Sequence, residues 1–217
     1  LLPLMPAPVV EIHCGMRNPG QRYAVAGGRR AEVGKFSRAG RCRPDTRPMT
    51  TDDTAFSPSA PPIGLAALER RLAQDLEYLG WPARAWVPAL QVRGQPVLDV
   101  AIIGGAQAGL AAAGALAQQG IRAVVFDRAP AGREGPWATT ARMETLRSPK
   151  ELTGPALGLP SLTFRAWFEA QFGTEAWAAM DKIPRLQWMD YLVWYRGVMG
   201  VDVRNDTAVT GLQPLPD

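Results

Sequence analysis

The sequence predicts an α/β fold in which two parallel β-strands are joined by an α-helix. An apolar run rich in β-branched residues, Val100 to Ile103, is followed by a glycine-rich turn. An alanine-rich stretch then ends at Gly120, and a second apolar run, Ile121 to Phe126, comes directly after it. Two apolar runs separated by a helix are typical of a βαβ unit, whose strands run parallel in one sheet. Short apolar strands of this kind are expected to be buried on both faces.

The turn between the first strand and the helix predicts a site for a dinucleotide. Gly104 permits a tight turn, and Gly109 lets the helix pack close to the sheet. The N–H groups at the start of the helix would then face a pyrophosphate. Asp127 follows Gly104 by roughly the 20 residues expected of an acid that binds a ribose hydroxyl. Ala106 replaces the middle glycine of the G-x-G-x-x-G pattern, and its methyl group is expected to weaken or displace the cofactor. A structural glycine turn without a ligand is the alternative.

Helices are predicted on both sides of this unit. Leucines at spacings of three and four over Ile63 to Leu79 predict an amphipathic helix. A linker, 81–96, leads into the βαβ unit. A long irregular segment follows Asp127, and loops of this length are usually functional or disordered.

Helices are then expected at 161–173, 174–180 and 185–199, before short strands at 201–204 and 208–212. The predicted fold is thus a Rossmann-like domain over 97–217 with a helical insert at 161–200, preceded by an N-terminal segment, 49–96.

Residues 1–48 differ from the rest in composition. They hold nine basic and three acidic residues, whereas the remainder holds 15 basic and 17 acidic ones. We expect a disordered or mistranslated leader, with Met49 as the natural start, and a genuine basic tail is the alternative. The globular part gives no reason to expect nucleic acid or an anionic membrane as a partner.

The histidine and cysteine content restricts the chemistry. His13, Cys14 and Cys42 are the only such residues, and all lie in the leader. The body therefore cannot form a Ser-His-Asp or Cys-His arrangement or a zinc site of Cys and His. We expect a cofactor to carry the chemistry, no metal, a small-molecule substrate and a cytoplasmic location. The oligomeric state is open.

Several segments resemble the N-terminal part of FAD-dependent monooxygenases, a family that includes flavin-containing monooxygenases and ornithine and lysine N-hydroxylases. They are IIGGAQAGLAAA, FDR, GPW and METLRSPKELTGPALGLPSLTFRAWFEAQFG. The resemblance covers 49–217 and implies that NADPH reduces FAD, which then activates O₂ to oxygenate a nucleophilic substrate.

The resemblance also implies roles for individual residues. The pyrophosphate site would comprise Gly104, Gly105, Ala106, Gln107 and Gly109, with Asp127 at the ribose and Arg128 and Val209 at the adenine. Gly135 and Trp137 would approach the flavin, and the loop that carries Arg142, Met143, Leu146, Ser148 and Lys150 would run along it.

One departure from the family keeps alternatives open. No strand, glycine turn and helix for NADPH follow Asp127 in that order. We therefore expect an incomplete domain, the FAD-binding part of a flavin-dependent oxidoreductase. An NAD-dependent dehydrogenase-type domain and a non-catalytic dinucleotide-binding remnant are the alternatives.

Overall fold

The computed structural model describes residues 9–16, 22–26 and 64–214. All described residues belong to one compact unit. The described part contains eight strands and four α-helices, so the predicted α/β class is confirmed. None of its helices is both long and apolar enough to cross a membrane. The proposed start at Met49 lies outside the described residues.

The strands form two sheets. The strands are β1 (Val9–Met16), β2 (Arg22–Ala26), β3 (Gln91–Val92), β4 (Gln95–Leu98), β5 (Val100–Ile103), β6 (Ala123–Phe126), β7 (Val203–Arg204) and β8 (Thr207–Pro214). The larger sheet has the order β3-β4-β2-β1-β8, and the smaller has the order β5-β6-β7. The smaller sheet is parallel throughout, with Val100 opposite Ala123 and Val125 opposite Val203.

The helices are α1 (Leu65–Tyr78), α2 (Gln107–Gln118), α3 (Phe164–Ala179) and α4 (Arg185–Val198). Helix α2 connects β5 to β6, as the βαβ prediction requires, and Gly120 follows it with a left-handed φ of 69°. Helix α3 is interrupted at Gly173, where φ is 84°, in agreement with the two helices predicted on either side of that glycine. Helices α3 and α4 lie in the chain between β6 and β7.

The core lies where α1, α3 and α4 meet the small sheet. Leu72, Phe164, Tyr191 and Tyr195 are almost completely buried there. The Phe164 ring lies 5.5 Å from the Tyr191 ring in an edge-to-face arrangement, a favourable geometry for aromatic pairs. Aromatic side chains of α3 and α4 thus form a large part of the core.

Three features differ from the predictions. Two strands lie in the leader, at 9–16 and 22–26, and pair with β8 and β4. A hairpin, β3 and β4, lies in the segment predicted as a linker. Strand β5 is only partly buried, and Ile103 at its end is 58% exposed because it borders an open cavity. The prediction that this strand is buried on both faces was therefore wrong within the described part of the chain.

Candidate functional site

The glycine turn lies at the carboxyl end of the small parallel sheet. Gly104 follows β5 and Asp127 follows β6, and the two strands run in the same direction. Both residues therefore emerge at one edge of the sheet, where open α/β folds bind their ligands. The Gly104 amide donates to Phe126 O at 2.8 Å and ties the turn to the neighbouring strand.

Two glycines of the turn are required by geometry. Gly104 has a φ of 105°, a conformation that residues with a Cβ rarely adopt. A Cβ on Gly109 would lie 1.9 Å from Gly104 O, which no side chain can do. Only a glycine at position 109 therefore lets helix α2 pass this close to the turn, as predicted for this position.

The start of α2 is suited to an anion. Ala106 is its N-cap residue and no side chain caps the helix there. The first turn also carries no acidic residue. The N–H groups of the first turn lack partners within the helix, so these donors and the helix dipole remain available to a negatively charged ligand.

A cavity of about 760 Å³, here called the turn cavity, opens at this edge. Its volume lies within the range of about 300–1,000 Å³ typical of small-molecule sites. Six of the predicted site residues line it: Gly104, Ala106, Asp127, Arg128, Gly135 and Val209. The lining also includes residues that the sequence did not indicate, among them Arg133, Thr139, Thr140 and Thr207. Arg128 and Arg133 give the cavity two cationic side chains, which favour a ligand with phosphate groups.

Asp127 is buried, and its carboxylate holds the surrounding backbone. Its Oδ2 accepts a hydrogen bond from Gly105 N–H at 2.6 Å, and its Oδ1 accepts one from Ala129 N–H at 2.7 Å. Each carboxylate oxygen has two acceptor sites, so capacity for a ribose hydroxyl remains. Asp127 therefore fixes the shape of the turn in addition to facing the cavity.

The remaining predicted site residues do not line the turn cavity. Gly105 and Gly109 are buried beneath the turn, and Gln107 is half-buried at the start of α2. Trp137 packs against the core, and its carbonyl accepts a hydrogen bond from Arg185. Arg142 is exposed. Of the pyrophosphate, ribose and adenine candidates, the turn cavity therefore brings together Gly104, Ala106, Asp127, Arg128 and Val209, and Gly135 is the flavin-side candidate that joins them.

Two residues of the loop predicted to run along the flavin have other partners. The Lys150 ammonium donates to Trp177 O at 2.8 Å and lies 5.0 Å from the Trp177 ring centroid. It thereby satisfies carbonyls at the C-terminal end of α3, a favourable place for a cation. Leu146 is buried in the core and its amide donates to Ile183 O at 2.8 Å.

A partly buried polar cluster that the sequence did not indicate lies behind the turn. It comprises Glu134, Arg196 and Asn205, from a loop, a helix and the turn between β7 and β8. Within the described residues no group of three or more potential metal ligands occurs.

Comparisons with known proteins agree with this geometry. A family model described as FAD-NAD(P)-binding matches residues 101–213, more than half of the chain. The chain therefore belongs to this FAD/NAD(P)-binding family. An FAD-dependent urate hydroxylase from Xanthomonas campestris pv. campestris is 49% identical over 154 residues. The match covers 70% of this chain and 32% of the relative, so the chain spans about a third of the relative's length. The search of solved structures found no match.

These findings confirm the resemblance to FAD-dependent oxidoreductases and FAD as the cofactor of the family. The residues of the turn cavity fit that cofactor. The uncapped start of α2 suits a pyrophosphate, the Asp127 carboxylate suits a ribose, and two arginines add positive charge.

Proposed function

We propose that this chain is the FAD-binding part of a flavin-dependent monooxygenase that uses NADPH or NADH. The observation that carries the proposal is the turn cavity, in which Gly104, Ala106 and Asp127 surround the open N-terminus of α2. The strand order β5-β6-β7 supports a Rossmann-like domain, since it matches the order of the three strands in the first half of that fold.

The residues of the chain would bind and orient the cofactor. The first-turn N–H groups of α2 would hold the pyrophosphate, and Asp127 would hold the adenosine ribose. Val209 and its neighbours on β8 would cover the adenine side of the cavity. Bound FAD would supply electron transfer from the nicotinamide donor and oxygen transfer to the substrate, while the protein provides orientation and exclusion of water.

A purine is the substrate class that we propose to test first. The relative is described as an FAD-dependent urate hydroxylase, and nearly half of the aligned residues are identical. Urate-dependent oxygen uptake and NAD(P)H oxidation by the FAD-loaded protein would support this substrate. NAD(P)H oxidation that urate does not stimulate would count against it.

Cofactor binding is tested by titrating the 217-residue chain with FAD and following flavin fluorescence and absorbance. Saturable binding of FAD, and weaker binding of NADH, supports the proposal. Asp127→Ala should weaken binding, whereas Asp202→Ala is the matched control because Asp202 is an exposed acid paired with Arg204. Binding of NADH without FAD would favour a dehydrogenase-type domain, and binding of neither would favour a non-catalytic remnant.

A further inference from the structure

The cluster of Glu134, Arg196 and Asn205 joins a loop, a helix and a turn through a closed set of hydrogen bonds. Arg196 Nη1 donates to Glu134 Oε1 at 2.9 Å and to Asn205 Oδ1 at 2.7 Å. Asn205 Nδ2 donates to the same Glu134 oxygen at 2.6 Å. Arg196 Nη2 also donates to Val203 O at 3.0 Å and thereby ties α4 to β7. Each side chain thus contacts both of the others.

Hydrogen bonds continue from this cluster to the glycine turn. Asn205 Nδ2 donates to Ala129 O at 3.1 Å, and Ala129 N–H donates to Asp127 Oδ1 at 2.7 Å. Asp127 Oδ2 then accepts from Gly105 N–H. An uninterrupted series of polar contacts therefore runs from Arg196 on α4 to the turn.

Packing provides a second route to the same place. The position that a Cβ would take on Gly105 lies 3.3 Å from Glu134 Cγ and 3.0 Å from Val203 Cγ1. The Glu134 side chain therefore covers the buried face of the turn directly. Asn205 also precedes Thr207 and Val209, which form one wall of the turn cavity.

Direct packing of α4 against the turn is incomplete. A second cavity, of about 400 Å³, is lined by Gly105 and Ala106 of the turn and by Met189, Leu192 and Val193 of α4. Glu134 and Arg196 line the same cavity. The cluster therefore bridges a gap that apolar side chains do not fill.

The core holds α4 in place without Arg196. Tyr191, Leu192 and Tyr195 of the same helix are buried at 2% exposure or less. The Arg196 side chain is 28% exposed, whereas that of Glu134 is 5% exposed. A buried carboxylate depends on its partners, since removing one leaves an uncompensated charge. The part that depends on the cluster is consequently the loop around Glu134 and the turn beneath it.

We propose that Arg196, Glu134 and Asn205 are positioning residues for FAD. They hold the buried face of the glycine turn and the start of β8 in the geometry that accepts the cofactor. The inference rests on the proposed binding of FAD in the turn cavity. The geometry of the guanidinium matters more than its charge. Its two Nη atoms donate to three acceptors at once, whereas a lysine has a single nitrogen with which to reach them.

The test compares substitutions of Arg196 and Glu134 in the full chain. Arg196→Lys and Glu134→Leu should each raise the Kd for FAD by about tenfold or more, since each removes contacts of a part-buried charged pair. Glu134→Gln keeps an acceptor oxygen for Arg196 and Asn205, so its Kd for FAD should lie within about threefold of that of the unmutated chain. Arg165→Lys, in the exposed Arg165–Glu169 pair, is the matched control and should leave affinity unchanged.

Hydrogen exchange without FAD provides a second readout. Peptides that contain the Gly105 and Ala129 amides should exchange faster in Arg196→Lys and Glu134→Leu, whereas α1 should be unaffected. The inference would be overturned if both variants kept the exchange rates and the FAD affinity of the unmutated chain. It would also be overturned if a lower melting temperature were their only change. If the original chain does not bind FAD, the proposed function fails. Exchange then decides separately whether the cluster positions the turn.

Discussion

The amide of Gly105 donates a hydrogen bond to Asp127 Oδ2 at 2.6 Å, and this bond joins the glycine turn to the end of the neighbouring strand. The acid predicted to hold a ribose hydroxyl is therefore also part of the turn's own support. Two functions thus depend on one side chain, because the carboxylate can accept from backbone and ligand together.

Asp127→Ala is expected to weaken FAD binding by about 1.5–3 kcal/mol, because hydrogen bonds that involve a charged acceptor are lost. Two backbone donors, Gly105 and Ala129, would also lose their acceptor. Fluorescence titration with FAD measures the binding, and urea unfolding of the unliganded chain measures the decrease in the free energy of unfolding. Asp127→Asn should fall between the original and the alanine variant, since asparagine keeps one acceptor. An affinity unchanged in both variants would refute this arrangement.

Gly109→Ala is expected to displace the turn from the helix. Its Cβ would lie 1.9 Å from Gly104 O, so the backbone must move. Overpacking of this kind costs about 1–3 kcal/mol or more, and FAD binding should be lost with it. Gly197→Ala in α4 is the matched control, because nothing lies within 4 Å of the new methyl group. That variant should be more stable by about 0.5–1 kcal/mol from helix propensity. Equal urea midpoints for the two variants would contradict the prediction.

Ala106 and Gly135 are expected to be coupled. A Cβ on Gly135 would lie 2.6 Å from the Ala106 Cβ, and Gly135 has a φ of 71°. Gly135→Ala should therefore weaken FAD binding through both a steric clash and backbone strain. Adding Ala106→Gly removes the clash and should recover part of the affinity, leaving a strain of about 1–2 kcal/mol. A double-mutant cycle measures the coupling, and strictly additive effects would show that the two positions do not interact.

Local patterns in the sequence were sufficient to predict the βαβ unit. The bounds of β5 and the end of α2 shortly before Gly120 follow from apolar runs and a left-handed glycine, which are properties of neighbouring residues. The hairpin at 91–98 was missed because its strands have two and four residues, too short for a periodic pattern.

Contacts between distant segments explain what the sequence did not indicate about the site. Glu134 and Arg196 are far apart in the chain and meet only when α4 packs beside the loop after β6. Trp137 was placed beside the flavin through resemblance, yet it packs against the core and its carbonyl is held by Arg185. Its part in cofactor binding stays a prediction.

Tyr191 and Tyr195 offer a comparison of two buried hydroxyl groups. Tyr191 OH donates to Leu162 O at 2.7 Å, whereas no partner is found for Tyr195 OH among the described residues. Tyr191→Phe should cost about 1 kcal/mol at neutral pH, since a carbonyl loses its donor. Tyr195→Phe should be neutral or stabilising, because an unsatisfied buried hydroxyl is removed. Urea unfolding measures both, and a larger loss for Tyr195→Phe would indicate a partner for its hydroxyl.

Alkaline pH is expected to destabilise the fold through the same two tyrosines. Burial raises the pKa of both Tyr191 and Tyr195 far above its usual value, so each stays protonated in the folded chain. In the unfolded chain each loses its proton near pH 10. The folded state then binds more protons, and stability falls as the pH rises above about 10, by about 1.4 kcal/mol per pH unit for each tyrosine.

Tyr191→Phe and Tyr195→Phe should each remove one such contribution from the slope of unfolding free energy against pH. Tyr78 is 79% exposed, so Tyr78→Phe is the control that should leave the slope unchanged. Equal slopes in all three variants would show that the buried hydroxyls ionise as readily as exposed ones.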